Sequence, residues 1–129
     1  MNIPSNLKFT KSEEWVLVEG NIATIGITDY AQDQLSDIVY IEYLVDVDDE
    51  IKGDSVIATL ESVKAAADVN IPVGGTVLEI NESLADTPEM INTEAFNAWM
   101  VKIEMNDLSG LDALMDADAY KVFSENREH

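Results

Sequence analysis

Apolar runs broken by short polar turns dominate the first two-thirds of the chain. Trp15-Val16-Leu17-Val18 and Ile22-Ala23-Thr24-Ile25-Gly26-Ile27 flank Glu19-Gly20-Asn21, whose Gly and Asn tolerate positive φ. Together they predict a β-hairpin. Thr28 or Asp29 caps a short helix over residues 30–35, its side-chain oxygen accepting an orphan backbone N–H. Residues 38–44 predict another strand, 46–50 a charged loop, and Lys52-Gly53-Asp54 a turn. Residues 55–67 are ambiguous. Three alanines at their end favour helix, the β-branched residues before them favour strand, and a short apolar run is not resolved by periodicity. Gly74-Gly75 marks a tight turn before a strand over 76–80, and 86–92, with Pro88 fixing one φ, reads as a short loop-like stretch. Residues 99–105 alternate as a last strand. Leu111, Leu114, Met115, Ala119 and Val122 recur at helical spacing, predicting an amphipathic helix over 111–123 and a frayed polar tail over 124–129. Neither linkers nor repeats interrupt this series, so one domain over 1–129 is expected.

Composition narrows the partners. The 129 residues are 47% hydrophobic, enough for one real core. Twenty-six Asp and Glu against seven Lys and Arg give a formal net charge of -19, which repels phosphate backbones and anionic lipid. Nucleic acid and membrane are therefore not expected as partners. A protein with a basic docking face is compatible with the charge, and so is simple solubility. No segment approaches the roughly 20 apolar residues that span a bilayer. Residues 1–6 show neither a signal core nor an Arg-rich transit pattern. A cytoplasmic protein is expected, or a mitochondrial-matrix one if the chain is a mature eukaryotic form.

Much ordinary enzymology is missing. The chain has no Cys, and its sole His, His129, is terminal. Ser-His-Asp and Cys-His arrangements and zinc sites with His or Cys ligands are therefore excluded. Asp46, Asp48, Asp49 and Glu50 lack the spacing of an EF-hand loop and read as a solvated acidic loop. No catalytic or metal-binding set is expected.

One basic residue stands apart. Lys64 is the only one between Lys52 and Lys102, within Glu61-Ser62-Val63-Lys64-Ala65-Ala66-Ala67-Asp68. On charge and spacing alone it reads as a solvated surface lysine. Its small neighbours, however, suit an amine that enters another protein's active site. The Glu-Ser-Val-Lys-Ala core resembles the lipoyl-attachment segment of the glycine cleavage system H protein family. Ala23-Thr24-Ile25-Gly26-Ile27-Thr28-Asp29-Tyr30-Ala31-Gln32, Asp37-Ile38-Val39-Tyr40, Glu79-Ile80-Asn81-Glu82 and Pro88-Glu89-Met90-Ile91-Asn92 extend the resemblance over nearly the whole chain.

The resemblance implies a mainly β, lipoyl-domain-like barrel-sandwich of two small sheets with short added helices, including a C-terminal one. It resolves 55–67 as a strand–turn–strand hairpin with Lys64 at its tip. The implied function is a non-catalytic, monomeric carrier with lipoate on Lys64. It would shuttle the aminomethyl group of glycine from the pyridoxal-phosphate glycine decarboxylase (P protein) to the aminomethyltransferase (T protein). A dihydrolipoyl dehydrogenase (L protein) would reoxidise the arm, and a lipoate ligase or octanoyltransferase would modify the lysine. Ser12, Glu14 and Asp68 match positions beside the cleft that shelters the family's loaded arm, and Trp15 and Trp99 read as core or cleft wall. The chain departs from the family at Glu13, where His is usual, at Tyr43-Leu44 for Leu-Pro, at Gly74 for Ser, and at Asn97-Ala98, where a glycine usually precedes Trp. A paralogue that relays lipoyl groups to other enzymes and an unmodified acidic binding module are the alternatives. A biotin carrier, which flanks its lysine with Met, fits less well.

Overall fold

Two antiparallel sheets share one core in the computed structural model, which describes residues 3–106 and 108–126. Among these residues one sheet has six strands, in the order β1 (Lys8–Phe9), β2 (Glu14–Glu19), β3 (Ile22–Ile27), β9 (Val101–Met105), β8 (Gly75–Ile80) and β5 (Glu50–Ile51). The other has three, with β6 (Val56–Ser62) between β4 (Ile38–Tyr43) and β7 (Ala66–Asn70). The chain is mainly β, as expected. Val16, Ile25, Val77 and Ile103 of the first sheet meet Ile41, Ile57, Leu60 and Val69 of the second in one buried cluster.

Alternation explains the regular strands. Val101, Ile103 and Met105 of β9 point into the core while Lys102 and Glu104 point out, the period of two that a half-buried strand requires. Bulges explain the exceptions, because an extra residue shifts the facing pattern by one. One in β4 between Ile38 and Tyr40 turns both Val39 and Tyr40 outward. Another in β6 between Val56 and Ala58 lets Ile57 and Ala58 both be buried.

The β2–β3 hairpin forms as predicted, and Gly20 takes the positive φ of 64° that its turn needs. The choice of cap falls to Thr28. Its hydroxyl accepts from Ala31 N, and helix α1 runs over Asp29–Leu35. Gly74-Gly75 is not the expected turn. The chain bends at Pro72-Val73, and Gly75 already begins β8, where a Cβ would lie 2.0 Å from the Glu104 carbonyl oxygen. Close strand approach, rather than turn geometry, accounts for glycine there.

The stretch expected to be loop-like contains helical turns. Helices α2 (Glu82–Asp86) and α3 (Met90–Thr93) flank Pro88 and bury Leu84 and Ile91 in the main core. Asn92 ties α3 to its neighbours: its Oδ1 accepts from Ile38 N, and its Nδ2 donates to the Ser36 carbonyl and to Gln32. The Tyr43 hydroxyl donates to the Asn81 carbonyl at 2.7 Å, and burial together with the Glu82 charge pushes its phenol up from the ordinary value.

The single C-terminal helix predicted over 111–123 is divided. A 3-10 helix over Leu108–Ala113 ends before Met115, whose backbone exchanges two hydrogen bonds with Phe9. Asp116 then accepts from Ala119 N and opens helix α4, Ala117–Asn126. The strand-like bridge resets the helical phase. Ala119 and Val122 are therefore exposed, and Tyr120 is the buried residue, stacked on Phe9 at 4.3 Å. With Leu7 and Trp15 these rings form a second, smaller core, each large side chain contributing about 1.5–3 kcal/mol by burial. Of the tail expected to fray, Ser124 to Asn126 complete α4, and 127–129 lie outside the described residues.

Candidate functional site

Lys64 stands at the tip of the β6–β7 hairpin, where Glu61 pairs with Ala66 and leaves a short loop between the strands. Strand pairing overrides the helical preference of its alanines. The loop is held from within. Ser62 N donates to the Ala65 carbonyl at 2.8 Å, and the Ser62 hydroxyl accepts from Lys64 N at 3.1 Å and Ala65 N at 2.9 Å. Val63 N donates to the Asp37 carbonyl at 3.0 Å, fastening the tip to the segment that enters β4. Each backbone N–H from Ser62 to Ala65 thus has a partner. The side chains of Val63, Lys64, Ala65 and Ala66 are all exposed. No carboxylate among the described residues pairs with the Lys64 ammonium. The result is an ordered backbone presenting an unencumbered amine.

Ser12, Glu14 and Asp68 come together in one cleft of about 220 Å³. Ile27, Leu35, Leu60 and Val69 supply its apolar walls, and α1 forms one side. Ala67 and Asp68 belong to β7, which begins just after the lysine, so the cleft starts on the strand that leaves the tip. Glu14 is only 2% exposed. Its Oε1 accepts from the Thr10 hydroxyl at 2.6 Å and the Ser12 hydroxyl at 2.5 Å, while Asn70 N lies 3.5 Å from Oε2. Asp68 is exposed, with Thr59 Oγ1 at 3.4 Å. The cleft therefore holds one buried carboxylate braced by hydroxyls and one solvated carboxylate at its edge. A larger hollow of about 540 Å³, between Pro4–Leu7 and Glu94–Asn97, contains none of these residues.

Trp15 is core, its Nε1 donating to the Ala95 carbonyl at 3.0 Å, whereas Trp99 is half-buried with the Lys102 ammonium 4.9 Å from its ring centre. Two contributors were missed by sequence reasoning. Thr10 braces Glu14 twice, through the contact above and by accepting from Glu14 N at 2.9 Å. The signal available was a hydroxyl-rich turn, Thr10-Lys11-Ser12, just ahead of the Glu13-Glu14 pair. Glu13 also lines the cleft, at a φ of 74°, and accepts from the Thr28 hydroxyl at 2.8 Å and from the Tyr120 hydroxyl. It joins α4 to the cap of α1, and only its departure from the family pattern drew attention to it. Among the described residues no group of His, Cys, Asp and Glu is placed to hold a metal, and no helix is long and apolar enough to cross a membrane.

A small β-sandwich that holds one amine clear on an ordered hairpin tip, beside a partly apolar cleft, has the build of a carrier for a covalently attached group. The sequence profile of the family described as glycine cleavage H-protein matches residues 7–127, and the chain belongs to that family of lipoyl carriers. The glycine cleavage system H protein of Staphylococcus haemolyticus is 52% identical over 122 residues, covering 94% of this chain and 96% of the relative. That of Halothermothrix orenii is 47% identical over 129 residues, covering 99% and 100%. The crystal structure of a glycine cleavage system H protein from Mycobacterium marinum shares the fold, with a TM-score of 0.85 at 24% identity over 95% of this chain and 99% of that one.

Proposed function

We propose that Lys64 carries lipoate as an amide and that the chain delivers the aminomethyl group of glycine from the pyridoxal-phosphate decarboxylase to the aminomethyltransferase. A dihydrolipoyl dehydrogenase reoxidises the arm between cycles, and a lipoate ligase or octanoyltransferase starts the process. The observation that supports this most is the exposed amine of Lys64 on a tip whose backbone N–H groups from Ser62 to Ala65 are all hydrogen-bonded. In the modification, Lys64 Nζ attacks the acyl carbon of a lipoyl–adenylate anhydride. A C–N bond forms, the acyl C–O bond breaks, AMP departs, and the two protons shed by the ammonium nitrogen pass to solvent. The site loses one positive charge.

When bound, the lipoyl group supplies the dithiolane that accepts the transferred carbon unit and is reduced in doing so. The chain's own residues orient and shelter. Ile27, Leu60 and Val69 exclude water from an apolar arm, and Ser12, Glu14 and Asp68 stabilise a cationic amine at its end, since opposite charge favours the charged form. Thr10 and Ser12 fix the direction of the Glu14 carboxylate before any guest arrives.

The test is the intact mass of the chain after co-expression with a lipoate ligase and free lipoate, followed by peptide mapping. One added lipoyl group on the peptide containing Lys64 is expected. No addition, with a known H protein modified in parallel, would overturn the assignment.

A further inference from the structure

The amine of Lys64 has apolar company. In β4, the outer strand beside β6, the bulge leaves Val39 54% and Tyr40 49% exposed, while Ile38 and Ile41 on either side are buried. Val63, next to the lysine, is 69% exposed, and its backbone is bonded to Asp37 just ahead of that strand. Three large apolar side chains thus stand in water on the tip and on the end of the strand fastened to it. Side chains of this kind, grouped rather than scattered, mark a surface that another molecule covers. Exposed Asp37, Glu42 and Glu61 border them.

We propose that Val39, Tyr40 and Val63 form the docking surface for the enzyme that acylates Lys64, a protein whose active-site mouth is apolar and rimmed by cations. This rests on the assignment of Lys64 as the modified residue. The choice of partner follows from reach. An acylating enzyme must bring its reacting centre to Nζ itself, so its rim necessarily covers the side chains flanking the tip. Enzymes that act at the far end of an attached arm do not have to approach so closely. The acidic border matches a cationic rim, which speeds encounter and sets orientation. The N–H groups from Ser62 to Ala65 are already engaged, so the loop has none left to donate to a partner's backbone. Side chains remain as the readable feature, and tyrosine is among those that contribute most at such contacts.

The experiment is steady-state transfer by a purified lipoate ligase with ATP and free lipoate, comparing the unmodified chain with Tyr40→Ser, Val39→Ser and Val63→Ser. Leu78→Ser, on the opposite sheet and also exposed, is the control. Tyr40→Ser is expected to lower kcat/KM about tenfold, mainly through KM, because tyrosine is enriched among the minority of contact residues whose loss costs that much. The control should match the parent, and melting temperatures should agree across the set. Amide hydrogen exchange in the ligase complex provides a readout that needs no variant, with protection expected across Val39 to Glu42. A parent chain that is fully acylated, together with variants at the parent kcat/KM or protection found elsewhere, would overturn the docking surface and leave the carrier assignment standing. A parent chain that is not acylated would overturn the carrier assignment, and the surface with it. If the variants instead abolish a dimer and leave kcat/KM unchanged, the occupant is a second copy and the proposal is wrong.

Discussion

The tip that presents Lys64 and the cleft that contains Glu14 are prepared in opposite ways. The tip is local: Ser62 alone supplies the contacts that order Lys64 and Ala65, and the side chains around it are exposed. The cleft is assembled from a long stretch of chain, with Thr10 and Ser12 from one turn, α1 from another segment and β7 from a third. Its carboxylate is buried, and one bracing N–H comes from Asn70, 56 positions away. The local order at Lys64 therefore depends on a short sequence, whereas the cleft depends on the whole sandwich. Changes in the core should loosen the second long before they touch the first.

The sharpest way to break the pair is Lys64→Arg. A guanidinium keeps the charge but forms no amide here, so acylation should fall to background by intact mass. Lys64 is exposed and its ammonium makes no ion pair among the described residues, so stability should stay within about 0.5 kcal/mol by denaturant melt. A variant that still supported full glycine cleavage would remove the carrier role from this lysine.

Glu14→Gln attacks the other half. Acylation should be unchanged, while the amine-bearing arm should be released to solvent about tenfold faster, because exchanging a charge-assisted hydrogen bond for a neutral one forfeits roughly 1–1.5 kcal/mol. The release rate of the loaded arm, followed by formaldehyde production, reads this directly. An unchanged rate would take Glu14 out of the sheltering role while leaving Lys64 untouched.

The same contrast governs what could be read in advance. The place of Lys64 on a hairpin tip was legible through the resemblance carried by the Glu-Ser-Val-Lys-Ala core, where propensity was ambiguous. The β2–β3 hairpin and β9 were legible because alternation and turn residues are local. The division of the C-terminal helix was not. Leu111, Leu114, Met115, Ala119 and Val122 keep helical spacing, but Met115 pairs with Phe9 from the other end of the chain, a contact that no periodicity reveals. Gly75 failed for a related reason, since its requirement comes from the Glu104 carbonyl on a neighbouring strand rather than from its own turn. In the cleft, Ser12, Glu14 and Asp68 could be brought together only by resemblance. Thr10, which the resemblance did not single out, was missed although its hydroxyl lies 2.6 Å from Glu14.

Ser62→Ala sharpens the account of the tip. It removes the acceptor used by Lys64 N and Ala65 N without altering the lysine. Water replaces it at this exposed position, so the loss should be about 0.5–1.5 kcal/mol of local order with little effect on the global melt. Acylation should slow two- to threefold, a range set by roughly 0.4–0.7 kcal/mol at the tip. Amide exchange at Lys64 and Ala65 should accelerate in parallel. Faster exchange with an unaltered rate would mean that the ligase tolerates a loose tip.

The smallest effect is expected from Asp68→Asn, and it separates two carboxylates that share one cleft. Glu14 is 2% exposed and held by two hydroxyls, so its charge acts on a guest with little screening. Asp68 is exposed, with only a 3.4 Å contact to Thr59, and water and salt weaken its field. Exposed charge pairs are commonly worth about 0.2–1 kcal/mol, so release of the loaded arm should quicken about twofold at low salt. The difference should shrink further at high ionic strength, where exposed charges are screened. Measured alongside Glu14→Gln, this tests whether burial decides which acid matters. Equal effects from the two substitutions would show that position along the arm, not burial, sets the strength of the hold.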